Sequence, residues 1–299
     1  MFAALAVIYV VWGSTYLAIR IMVETLPPLL CAGIRFLVAG AVLAAILLLR
    51  GGPRRFAVPV RELGGAAVIG AALLMGGNGG ITVGEKHVPS ALTALVAASI
   101  PLWVVVLRRL SGERVSFGTL AGVALGFAGV ALLVSQGGEG TVDPGAMLLV
   151  VAGAASWAAG TFASSRIRLP ADPLVSTALQ MLIGGVLLFA LGLVLEPGGI
   201  PADAQPRSWL ALGYLIVFGS LLAFTAYTWL LAHAPVSQVA TYAYVNPVIA
   251  LILGWAVLAE AVTAFVLVGA VLVVVAVALV IRHEARPLPD DLAAASEGG

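Results

Sequence analysis

Apolar residues fill this chain in long runs. The runs show neither the strict alternation of a barrel strand nor the single apolar stripe of a water-facing helix. A bilayer crossing needs about 20 predominantly apolar residues. Ten stretches fit: Phe2–Met22, Leu29–Leu49, Leu63–Val83, Ala91–Leu107, Phe117–Val134, Gly145–Ala163, Leu174–Leu195, Trp209–Leu231, Val236–Leu258 and Ala264–Ile281. Barrel strands would alternate and run about 10 residues. Lipid offers no partner to a backbone amide, so each stretch must satisfy its own, and the pattern predicts ten transmembrane α-helices. The first stretch lacks a basic leader and is longer than a signal-peptide core, so it reads as a retained helix.

The basic residues give these helices a direction. With the N-terminus cytoplasmic, Arg50, Arg54, Arg55, Arg61, Arg108, Arg109, Arg114, Arg166, Arg168, Arg282 and Arg286 lie inside, and only Lys86 and Arg207 outside. Eleven against two is a strong positive-inside bias, and a miscounted helix would scramble it. Both termini are then cytoplasmic, and residues 283–299 read as a disordered tail. Composition agrees: 62% of the 299 residues are hydrophobic and 10% charged, where a soluble domain has about 45–50% and about 25%. A net charge of +1 without a basic stripe excludes a nucleic-acid partner. The single cysteine, Cys31, excludes an intrachain disulfide and a thiolate metal cluster.

The two halves repeat. Trp12 and Thr15 compare with Trp157 and Thr161, Arg35 with Gln180, His87-Val-Pro89 with His233-Ala-Pro235, Pro101 with Pro247, Glu113 with Glu260, and Gly122 with Gly269. The offset stays between 145 and 147 across these pairs. Residues 1–136 and 145–282 therefore carry five helices each. Five is odd, so the second set enters the membrane from the opposite side. This inverted-topology repeat is an organisation of many secondary transporters, in which two similar halves exchange conformations around a midplane site.

The same residues carry a family resemblance. Trp12-Gly-Ser-Thr, Arg35-Phe, Pro89-Ser-Ala-Leu-Thr-Ala-Leu running to Pro101-Leu-Trp103, Gly112-Glu113-Arg114-Val115, the Gly122/Gly129 helix, Asn246-Pro247 and Glu260 resemble the EamA-type permeases of the drug/metabolite transporter superfamily. Ala259 stands where a glycine is usual. The run Gly76-Gly77-Asn78-Gly79-Gly80 with Glu85 is similar to amino-acid and metabolite exporters of bacterial inner membranes. The resemblance covers nearly the whole chain. It implies an all-α basket of ten helices around a central cavity, and leaves the substrate open among amino acids, sugars, nucleotides and others.

Several residues are candidates for that cavity. Trp12, Tyr16 and Arg20 share one face of the first helix, and Trp157 is the repeat mate of Trp12. Arg20 and Glu24, four apart, are expected to form a rim ion pair. Arg35 lies about seven residues into its helix, where a charge must face protein or water, and it could bind a substrate carboxylate. Asn78, among four glycines, predicts a kinked helix whose backbone lines the cavity. Gln238, Tyr242 and Asn246 make the ninth helix unusually polar on one face. Trp103 and Tyr227 add aromatic surface, and the mid-helix prolines Pro101 and Pro247 are hinge candidates. Glu113 and Glu260 read as caps of the helices that follow them, and His87 and His233 as helix-end residues. Gly122, Gly126 and Gly129 form a small-residue face for contact within the bundle or in a dimer.

No helix carries a mid-span carboxylate, so ion coupling would fall to boundary groups such as Glu24, Arg35, Glu85 or His87, and facilitated efflux stays open. An intramembrane enzyme would want Gly-x-Ser-x-Gly or His-Glu-x-x-His, and the sequence has neither. The expectation is a non-enzymatic inner-membrane exporter of small polar metabolites, with amino acids first, and with no cofactor or metal. Its partners would be substrate and bilayer, and a monomer would suffice.

Overall fold

The computed structural model describes residues 1–135, 142–234, 236–239 and 241–284. The expected tail lies outside the described residues from 285 onward. Among the described residues there are helices and no strands. We number the membrane helices α1 (Phe2–Met22), α2 (Pro28–Gly51), α3 (Val60–Gly84), α4 (Ser90–Leu110), α5 (Phe117–Ser135), α6 (Pro144–Ser164), α7 (Pro173–Leu195), α8 (Pro206–Leu230), α9 (Val236–Val239 and Tyr242–Leu258) and α10 (Ala264–Glu284). Nine are long and apolar enough to cross a bilayer, and Tyr242–Leu258 is a shorter apolar helix. Large apolar side chains such as Val10, Leu49, Leu148, Val194, Leu210 and Val271 point outward, as lipid requires.

Helix ends follow local chemistry. Pro144 and Pro173 open α6 and α7 at a position where a missing amide costs nothing. Asp143 accepts from the Gly145 amide (2.8 Å), and Asp172 accepts from Leu174 and Val175 (3.0 and 3.4 Å). Arg55 donates to Asp172 (2.6 Å) and ties the loop after α2 to the start of α7.

The repeat is visible in the packing. α2 lies along α7 and α5 along α10, each beside its own mate. The remaining contacts come in related pairs: α1 on α9 with α6 on α4, α1 on α8 with α6 on α3, and α2 on α8 with α7 on α3. Glycine makes the closest approaches possible. A Cβ on Gly33 would sit 2.6 Å from the Phe189 amide nitrogen, and one on Gly185 would sit 2.8 Å from that of Leu37. Lipid tails are as apolar as leucine, so helix association here depends on such close packing rather than on water exclusion. Gly122 and Gly129 pack on α10, and Gly126 packs between α10 and Leu102 of α4, which resolves that face as contact within the bundle.

Two departures from α-helical winding stand at related positions. Ala71–Asn78 in α3 and Leu215–Leu222 in α8 are π-helical. The glycine run therefore widens α3 instead of breaking it, so the expected kink at Asn78 becomes a local unwinding. α4 is interrupted between Ala97 and Ile100, just before Pro101. Arg20 does not pair with Glu24 as expected. It reaches the carbonyls of Glu85 and Lys86 (2.6 and 2.7 Å), and Glu24 pairs with Arg207.

The α2–α7 contact is testable. Gly33→Ala should lower stability in detergent by about 1–3 kcal/mol, because the methyl meets backbone that cannot turn aside. Gly64→Ala, with nothing within 4 Å of its Cβ, should be neutral or slightly stabilising. Equal melting temperatures for the two variants would refute this account of the contact.

Candidate functional site

A cavity of about 830 Å³ runs from the middle of the bundle to the end that holds most of the arginines, here called the basic end. Its mouth reaches Arg108, Ser164, Leu169 and Pro170. Its inner wall is aromatic. Trp12 meets Phe224 edge-on (5.4 Å), Tyr227 tilted (5.1 Å) and Tyr242 edge-on (5.1 Å), and Tyr227 stands perpendicular to Tyr242 at 6.0 Å. Trp157 faces this group from α6.

The unwound segments place both tryptophans. The Trp12 indole donates to the Gly219 carbonyl in the π-helical part of α8 (3.3 Å). Trp157 packs on Gly77 in the π-helical part of α3, where a Cβ would come within 3.1 Å of its ring. Ser156 donates to the Ala72 carbonyl alongside (2.8 Å). The two sites are related by the repeat.

Polar groups in the wall are uncharged. The Gln180 amide donates to Ser176 (2.9 Å), which leaves its carbonyl oxygen available. The Thr161 and Thr177 hydroxyls donate to their own helices (3.0 and 2.8 Å) and can still accept. Among the described lining residues Arg108 is the only charged one. It sits at the mouth, where it donates to Glu113 (2.6 Å). That bond holds the Glu113 carboxyl below the usual carboxylate range.

Of the residues expected at the site, Trp12, Trp157, Tyr227 and Tyr242 line the cavity, as does the hinge candidate Pro101. Tyr16, Arg35, Asn78, Trp103, Gln238 and Asn246 do not. Arg35 is 3% exposed, and its Nε donates to Ser220 on α8 (2.8 Å) behind the described lining. The Asn78 side chain accepts from Thr82 within α3 (3.3 Å). Trp103 stacks edge-on against Phe127 (4.7 Å). Asn246 sits one layer behind the wall. Its amide, with nitrogen turned to the two carbonyls, donates to Tyr9 (3.1 Å) and Tyr242 (3.3 Å), tying the α9 segment around Pro247 to α1. Sequence reasoning missed Gln180, Ser176, Thr177 and Thr228, which are polar residues inside apolar helices.

The described lining of this cavity does not reach the opposite end of the bundle, where carboxylates from one segment hold the helix starts of another. Glu260 accepts from the Ser90 and Ala91 amides (2.7 and 3.0 Å), so it caps α4 across the molecule and not α10, the helix that follows it. Glu196 likewise caps α2 through Leu29 and Leu30 (both 2.9 Å). Each carboxylate satisfies amides that lipid could not. Ala259 positions Glu260 from the left-handed region (φ 53°), and Gly112 holds the related place before Glu113 (φ 91°). Among the described residues Glu113 caps no helix N-terminus; it bonds Arg108 and Arg166 instead.

A profile of the EamA-like transporter family matches residues 1–135 and again residues 144–282. The chain belongs to the EamA-like transporter family. Among its relatives, the uncharacterized inner membrane transporter YedA of Escherichia coli K12 is 42% identical over 257 residues, covering 85% of this chain and 81% of that protein. The uncharacterized transporter YvbV of Bacillus subtilis 168 is 29% identical over 278 residues, with 92% and 90% covered. A WAT1-related chloroplastic protein of Arabidopsis thaliana is 26% identical, with 90% and 66% covered. A solved crystal structure shares the fold with a TM-score of 0.65 at 24% identity, over 95% of this chain and 97% of its own. In this family setting the cavity is the candidate transport site.

The departure at Ala259 gives a test. Left-handed geometry costs an L-residue about 1–2 kcal/mol, and glycine avoids that cost while losing some unfolded-state entropy. Ala259→Gly should therefore raise thermal stability by up to about 1 kcal/mol. A lowered melting temperature would contradict the strain assigned to this turn.

Proposed function

We propose that the protein is a non-enzymatic, alternating-access carrier that exports a small zwitterion with an apolar or aromatic side chain, amino acids foremost. The carrying observation is the cavity: an aromatic inner wall, neutral amide and hydroxyl groups, and one paired arginine at its mouth. Such a wall suits an aromatic or aliphatic side chain by area and ring geometry. Wall carbonyls and hydroxyls can accept from an ammonium group. A phosphorylated ligand would want several unpaired cations, and the described lining supplies none.

The direction follows from charge. The eleven-to-two distribution of basic residues supports a cytoplasmic basic end. The cavity then opens inward and the closed end faces outward, so the molecule stands ready to load from the cell interior. A relative named as an inner membrane transporter supports the same membrane for this chain. Related halves with one end closed and the other open are the arrangement that alternation would interchange.

The experiment is a counterflow and thermal-shift screen of the purified carrier against amino acids, sugars and nucleosides, followed by variants. Trp12→Ala and Trp157→Ala should each weaken binding of an aromatic or branched amino acid about 10- to 100-fold, as expected from losing a ring contact and its buried area. Both should keep the parental expression and fold. Unchanged affinity in both variants, or stabilisation only by sugars or nucleosides, would overturn this reading of the wall.

A further inference from the structure

Glu85 directly follows the last residue of α3, at the end of the bundle away from the cavity mouth, and its side chain is fully buried. Neither carboxylate oxygen has a hydrogen-bond partner among the described residues. The same holds for the buried hydroxyls of Ser90 and Thr93, the polar groups that α4 brings to this layer. The charged and titratable groups acting on Glu85 come from three directions: Tyr16 and Arg20 on α1, Arg35 on α2, and Glu260 on the turn after α9. On its own turn, Lys86 and His87 are exposed. Neither arginine forms an ion pair with it. Arg20 is bound to main-chain carbonyls, and Arg35 to Ser220 and the face of Phe36.

A buried carboxylate with no hydrogen bond is costly, whereas the protonated acid is much less so. Here burial is the largest influence and pushes the Glu85 carboxyl well above the ordinary range. Glu260 pushes the same way, and Arg20 and Arg35 oppose it. Where water reaches the same group, it returns toward ordinary carboxylate behaviour.

We propose that Glu85 is a proton-binding site linked to the outer gate: one proton from the outer aqueous phase forms an O–H bond with its carboxylate as that half closes, and returns to the same phase when it opens. The inference rests on the alternating-access reading above. The sign follows from linkage. The closed gate holds one more proton than the open gate, in the window above the ordinary carboxylate range and below the raised one. Closure is therefore favoured by acid outside and lost as outer pH rises. No net proton crosses the membrane in this step. Outer acidity returns the carrier to the inward-open state in which it loads.

The test uses inverted vesicles, in which the lumen stands for the outer phase. In a Cys31→Ser background, Thr161→Cys places a thiol in the cavity wall facing the bath. With bath pH constant, an impermeant maleimide then reports the inward-open population. Lowering lumen pH from about 8 to about 5 should speed labelling, by up to tenfold per unit. Glu85→Gln, a neutral mimic, should label fast at every lumen pH, and Glu85→Leu carries the same expectation if the amide variant does not fold. Labelling independent of lumen pH in the parent, or a pH dependence kept in the Glu85 variants, overturns the proposal. Glu260→Ala separates the two readings, since it weakens the hold on α4. If it slows labelling while lumen pH does not, the proton site fails and alternation stands. If neither affects labelling, alternation itself fails.

Discussion

Close backbone approach is the constraint on which this molecule depends. In lipid, an apolar side chain gains little by leaving one apolar surface for another, so helices must be held by contact too tight for solvent chains to replace. Gly33 against Phe189 and Gly185 against Leu37 provide that contact where α2 crosses α7, and Gly122, Gly126 and Gly129 provide it where α5 meets α10. These two seams join each helix to its own repeat mate. The other helices are arranged around them, and the cavity is the space left between α1, α6 and their partners.

The second requirement is that polar backbone be satisfied wherever winding departs from α-helical. Unwinding at Ala71–Asn78 and Leu215–Leu222 brings backbone toward a tryptophan of the opposite half. One response is a hydrogen bond, Trp12 to Gly219. The other is packing on a glycine, Trp157 against Gly77. A local loss of regularity in two helices thus sets the position of the aromatic wall. Asn246 supports it from behind by holding Tyr9 and Tyr242 together.

Much of this architecture is legible in the sequence. Phe2–Met22 appears as read, and the other membrane helices lie within a few residues of the apolar stretches, because run length and lipid thickness leave little freedom. The π-helical segments are not legible, because a helix that is apolar all round gives its winding no periodic marker. Residues of the site separate by what their chemistry reveals. Paired tryptophans at a fixed offset mark positions related across the pseudo-axis, and Trp12 and Trp157 both line the cavity. Arg35 illustrates the opposite case. Its depth excludes a lipid-facing position but does not choose between the cavity and the packed interior, and its side chain bonds Ser220 behind the described lining. Its mate Gln180 is in the wall. Glu260 shows the same limit for helix ends: an acid in a short loop signals a cap, and only the fold selects the helix it caps.

The turns at Gly112 and Ala259 have a wider consequence. Both deliver a glutamate from a left-handed residue, yet one carboxylate holds a helix end while the other is held by arginines. On the alternation proposed above, these two nearly equivalent ends would take turns at being closed. In that proposal the free-energy difference between the states would be set by the small differences between the halves, such as alanine for glycine or arginine for glutamine. For a molecule that alternates in this way, the sites where the repeat is imperfect would be the ones that decide which state it rests in.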